Sequence, residues 1–129
     1  MPITANWTDE ALKALVVRYQ GKWTWVEYDF ATDQIIGMLQ HVGHPVIVIL
    51  DASESPYPPS PAALPHFQRA WEKLSPYMQH VIVVGAGGFF KQVGETFSKI
   101  FIRKDMLRFV ESLDEGLKLV DSLESDVSA

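Results

Sequence analysis

PVIVILDASESPYPPSPAALPHF, residues 45–67, holds an unbroken apolar run that ends in an aspartate and then gives way to a segment dense in serine and proline. The run Val46–Leu50 sends apolar side chains to both faces of a sheet, the pattern of a parallel strand covered on both sides. VIVV, residues 81–84, has the same character. Parallel strands need a long crossover, usually a helix. His66–Leu74 supplies it, with Phe67, Trp71 and Leu74 on one helical face and core packing as their reading.

On the N-terminal side lies TWVEYDFATDQIIGMLQHV, residues 24–42. Thr24 and Glu27 form a capping box, and Trp23 and Tyr28 stand where a hydrophobic staple packs. Val26, Phe30, Gln34 and Gly37 fall near one helical line, with Tyr28, Ile35, Met38 and Leu39 filling the apolar face around it. Gly43 and Pro45 end this helix. Before it, ITANW (3–7) and KALVVRY (13–19) read as strands joined by the turn Thr8-Asp9-Glu10, which predicts an antiparallel hairpin. Beyond residue 84, Phe89–Phe101 carries Phe90, Val93, Phe97, Ile100 and Phe101 on one face, MLRFV (106–110) reads as a strand, and Ser112 with Glu115 opens a helix over Leu113–Leu123.

The order β-β-α-β-α-β-α-β-α predicts a single α/β domain with a core at about residues 3–124 and a short tail, 125–129. Right-handed crossovers set sequential strands side by side. The expected sheet has five strands, four of them parallel and the first antiparallel at one end.

Composition narrows the function. The chain has 129 residues, 47% hydrophobic, which excludes wholesale disorder. No apolar run approaches the roughly 20 residues of a membrane span. MPITANWTDE lacks the basic start and apolar block of a signal peptide, so a cytoplasmic protein is expected. Cysteine is absent, which removes disulfides, thiolate nucleophiles and cysteine metal sites. With a net charge of −5 and its densest basic patch at Lys99, Arg103 and Lys104, nucleic acid is not an expected partner.

The order of elements, a strand ending VIVILD and a serine near the next helix start together resemble the STAS family. These are the anti-sigma-factor-antagonist-like (SpoIIAA-like) domains, whose wider group shares a Sec14-type core. In the phosphorylated branch, the strand leads to Asp-Ser-Ser-Gly-Leu, whose second serine is the phosphoacceptor. Here Asp51 matches the strand end and Ser60 falls near the acceptor, while Pro58 and Pro59 replace the Asp-Ser pair and Pro61 the glycine. The resemblance implies an unassigned branch and a non-enzymatic regulatory or interaction module with a protein partner. Its Sec14-type side allows a second reading, a lipid- or nucleotide-binding domain with an apolar pocket under the strand-end loops 51–65 and 85–89.

Loops at the carboxyl ends of parallel strands are where α/β sheets place ligands. Asp51, Ser53, Ser55, Tyr57, Ser60, Gly85, Gly87 and Gly88 are therefore the candidate ligand or partner residues. Ser60 is either a helix cap with Pro61 in the first turn or a phosphoacceptor. Five prolines, Pro56, Pro58, Pro59, Pro61 and Pro65, stiffen the loop that carries Tyr57. GAGG (85–88) offers backbone N–H groups to an anion or simply a tight turn, and Phe90 stands where a dinucleotide fingerprint needs glycine. His41 and His44 have metal-like spacing, but Gly43 and Pro45 break the helix around them, and neither a metal nor another cofactor is expected. No catalytic constellation is legible, and Gly-x-Ser-x-Gly is absent. Trp7 on an edge strand and Tyr57 in the stiff loop suggest a homodimer.

Overall fold

The apolar run at 46–50 forms the middle of the sheet in a computed structural model that describes residues 2–55, 63–85 and 106–128. The elements are β1 (Ile3–Trp7), β2 (Ala14–Gln20), α1 (Trp25–Gln40), β3 (Val46–Glu54), α2 (Ala63–Leu74), a 3₁₀ turn (Ser75–Tyr77), β4 (Met78–Val84), β5 (Leu107–Val110) and α3 (Leu113–Ser128). The five strands lie in the order β1-β2-β3-β4-β5. β1 is antiparallel to β2 and the remaining pairs are parallel, as the element order predicts. Val48 sits opposite Leu15 on one side and Val81 on the other. The helix expected at Phe89–Phe101 lies outside the described residues.

β3 is longer than its apolar run, continuing through Asp51 to Glu54. Polar pairing with β2 extends it: Arg18 is the register partner of Asp51, and the Gln20 Nε2 donates to Glu54 Oε2 at 2.7 Å. Gly21, with φ +63°, then donates its N–H to the Glu54 carbonyl. The β1–β2 turn is also longer than Thr8–Glu10 and holds Leu12 in the left-handed region, φ +56°. The Asp9 carboxylate steadies it by accepting the Ala11 N–H at 2.9 Å.

α1 starts as expected. The Glu27 N–H donates to the Thr24 hydroxyl, and the Thr24 N–H to the Glu27 carboxylate, both at 3.1 Å. Trp23 packs on Tyr28 with ring centroids 5.6 Å apart. The line Val26–Phe30, however, does not face the core: Val26 is 79% and Phe30 54% exposed. Each stands roughly 200° around the helix from Tyr28, so packing Tyr28 against Trp23 turns both outward. Ala31, Thr32, Ile35 and Leu39 are buried instead.

α3 is capped by Ser112, whose hydroxyl accepts the Glu115 N–H at 3.2 Å. The Glu115 carboxylate accepts from Glu111 rather than Ser112, so the return bond of the box is shifted by one residue. The helix runs past Leu123 to Ser128. Among the described residues no helix is long and apolar enough to cross a membrane.

Alternation along the strands divides the core in two. Leu15, Val17, Tyr19, Val46, Val48, Val81 and Val83 face α1 and α2. Ala14, Ile47, Ile49, Ile82 and Val84 pack with Val120 and Leu123 of α3.

Candidate functional site: a cavity under α1 and α2

Among the described residues, the α1–α2 side of the sheet is not filled. A cavity of about 130 Å³ lies there. Its floor is Val17 and Tyr19 of β2, Val48, Leu50 and Ala52 of β3, and Val81 and Val83 of β4, with Phe109 of β5. Tyr28, Thr32 and Ile35 of α1 form a wall, and Phe67, Ala70, Trp71 and Leu74 of α2 a roof. Interiors normally pack to crystal-like density with few voids larger than a water. Ala52 on the floor and Ala70 on the roof bring only small side chains to this space.

α2 is held to α1 by a polar seam beside the cavity. His66, Arg69 and Lys73, at helical spacing, meet Asp29 and Asp33. His66 Nδ1 lies 3.1 Å from Asp29 Oδ1, and its ring stacks on Trp25 at 4.4 Å, almost parallel. Arg69 Nη1 is 3.5 Å from Asp29, buried and without a hydrogen bond. Trp25 also meets Tyr28 and Phe67 edge-on, so an aromatic cluster continues from the seam to the cavity lining.

No charged side chain lines the cavity among the described residues. Its polar groups are few. The Thr32 hydroxyl donates to the Tyr28 carbonyl at 3.0 Å. Tyr19 is buried and Tyr28 half-buried. Burial pushes both phenols above their ordinary value; at Tyr28 the proximity of Tyr19 and Asp29 adds to the effect. Both are neutral donors near neutral pH.

The strand-end residues read from the sequence form a separate group. Alternation puts Asp51 and Ser53 on the α3 side, whereas Ala52 between them lines the cavity. Asp51 is buried, 3.6 Å from the Arg18 Nε, and its Oδ1 accepts both the Ser53 N–H (3.1 Å) and hydroxyl (2.6 Å). Gly85, at φ +68°, lies against Ser53, and a Cβ there would come within 2.7 Å of the Ser53 Cα. Glycine is therefore required by close approach as well as by φ. Ser55 ties the chain back to the helix start, accepting the Trp23 Nε1–H at 2.9 Å and donating to the Gly21 carbonyl at 2.6 Å. Asp51, Ser53 and Gly85 thus come together, with Ser53 bonded to Asp51 and the Gly85 N–H given to the Val110 carbonyl, while Ser55 is a structural tie. Tyr57, Ser60, Gly87 and Gly88 lie outside the described residues.

His41 and His44 are both exposed, and His44 Nδ1 sits 3.0 Å from the Pro45 carbonyl. Among the described residues no three His, Cys, Asp or Glu side chains gather as a metal site would need. The cavity lining and the Asp29–His66–Arg69 seam escaped the sequence reading. Phe67, Trp71 and Leu74 were legible as an apolar face, but Ala52 and Ala70, which also line the cavity, carry no pattern. Compared with protein-family models, curated proteins and solved structures, the chain matches none.

Proposed function

We propose that this domain binds a small, mainly apolar molecule in the cavity between the sheet and the α1–α2 pair. The observation that carries the reading is a void walled by valines, aromatics and alanines. Ligand sites are typically concave, mostly apolar and furnished with a few polar groups. The element order supports a STAS-like relationship, and the cavity favours the ligand-binding side of that resemblance. The test is extraction of natively purified protein followed by mass spectrometry, beside an Ala70→Phe variant whose new ring occupies the void. The expected result is a small molecule recovered with the native chain and lost from a variant that still melts cooperatively. An identical extract from both chains contradicts the reading.

A second reading, a protein-interaction module, is favoured by Val26 and Phe30, which stand exposed one turn apart on α1. Val26→Ser/Phe30→Ser should leave the melting temperature nearly unchanged and abolish any partner binding, measured by pull-down with the native chain as control. Unaltered capture of the same partner by this variant counts against a surface at α1.

A further inference from the structure

We propose that two copies of this chain pair along the free edge of β1, forming a twofold dimer whose sheet runs on from one copy into the other. The proposal is independent of the cavity reading, and for the surface at α1 it names the partner, a second copy.

The backbone comes first. β1 ends the sheet, with β2 on its inner side and no strand beyond it among the described residues. The Gln20 N–H donates to the Pro2 carbonyl at 2.8 Å, and the Thr8 N–H to the Ala14 carbonyl at 3.0 Å. In the antiparallel register the even-numbered residues of β1 are therefore the ones bonded to β2. The N–H and C=O groups of Ile3, Ala5 and Trp7 point outward. Such an edge is a template for another strand.

One antiparallel self-register engages all three outward residues. Ala5 then stands opposite Ala5 of the second copy, and Ile3 opposite its Trp7 at either end. The twofold axis passes between the alanines, perpendicular to the sheet, and both α1 helices lie on the same face. Ile3, Ala5 and Trp7 belong to the α1 side of the core. Ile3 of one copy thus meets the Trp7 ring of the other, an aliphatic–aromatic cross-strand pair.

Self-pairing also needs compatible charge and enough area. A twofold seam sets each residue near its own copy, so a charge at its centre repels itself. β1 carries none from Ile3 to Trp7, and neither proline nor bulge interrupts its register with β2. The opposite edge among the described residues is guarded, since β5 has only four residues and carries Arg108. A stable interface buries roughly 800 Å² on each partner, more than a short strand supplies. The groove between β1 and α1, lined by Ala5, Ala31, Gln34 and Met38, widens the contact. Phe30 stands one turn before Gln34 and Val26 one turn before that, so the exposed apolar surface of α1 continues the groove.

The test is sedimentation equilibrium of the full chain, from about 1 to 100 μM, a range that spans micromolar affinity. The native chain is expected to approach twice its 14.5 kDa mass. Ala5→Pro removes an outward N–H and leaves the bonds to β2 in place, so it should stay monomeric with a nearly native melting curve. Phe30→Ser should weaken association about tenfold. Because the chain has no cysteine, Ala5→Cys supplies a second readout should Ala5→Pro fail to fold. Paired across the axis, its Cα atoms lie about 5.5 Å apart, within disulfide reach. Mild oxidation should link it to its own copy, and should not link Arg108→Cys on the β5 edge. A monomeric native chain over the whole range overturns the proposal and leaves the cavity reading standing. A dimer that persists in folded Ala5→Pro, or equal cross-linking at both edges, overturns the β1 seam.

Discussion

The two faces of the sheet are built from the same strands but packed in different ways. On the α3 face the strands present isoleucine and valine, and Gly116 brings the helix so close that a Cβ there would lie 3.4 Å from a Val84 methyl. On the α1–α2 face the strands present Val17, Tyr19, Val48 and Val83, the helices present aromatic rings, and a cavity remains between them. α2 is tied sideways to α1 through His66, Arg69 and Lys73. One face is filled for stability. Among the described residues the other keeps a space, where the proposed ligand would sit.

The harshest way to break this contrast is a charge on the filled face. Ile82 is fully buried, and Ile82→Asp should cost more than about 4 kcal/mol, because nothing pairs the carboxylate. Loss of soluble, cooperatively folding protein is the expected outcome, and a native melting temperature contradicts the assignment of this face. A finer contrast comes from two neighbours on β4. Val84 faces α3 and Val83 borders the cavity. Val84→Ala should cost about 2–3 kcal/mol in denaturant unfolding, as a new void opens in close packing. Val83→Ala should cost only about 1 kcal/mol, since it enlarges a space already present. Equal losses would mean that the faces are packed alike.

Thr24→Ala probes the wall of the cavity. Removal of the cap should cost about 1 kcal/mol and speed amide exchange in α1, leaving α3 unaffected. The smallest effect is with pH. Tyr19 has its phenol raised by burial, so the unfolded chain releases that proton first, near the ordinary value of 10.0. Its contribution to stability is complete below that pH and falls as the pH rises toward the folded value. Melting temperature should drop between about pH 9 and 11 and drop less steeply in Tyr19→Phe. Identical slopes in the two chains would place the Tyr19 hydroxyl in water.

The sheet and the start of α1 were largely legible in the sequence. VIVIL and VIVV gave the parallel centre because continuous β-branched runs have few other uses. Thr24 with Glu27 gave the start of α1 because capping is local chemistry. The turned-out line of Val26 and Phe30 was not legible, because periodicity alone does not choose between two apolar stripes on one helix; the Trp23–Tyr28 contact does. Polar strand extension past Leu50 was hidden for a similar reason, since Arg18–Asp51 and Gln20–Glu54 pair only across strands distant in sequence. The cavity was the least legible part. A void has no residues of its own, and its lining comes from elements that meet only in the fold.

The proposal that one face binds and the other only supports is tested most directly by methyl-resolved NMR during titration with benzene, a probe that fits an apolar cavity of this size. Saturable shifts are predicted at Val17, Ile35, Val48 and Val83, with Ile47, Ile49, Ile82 and Val84 unmoved. Shifts spread equally over both sets, or none in either set, would contradict it.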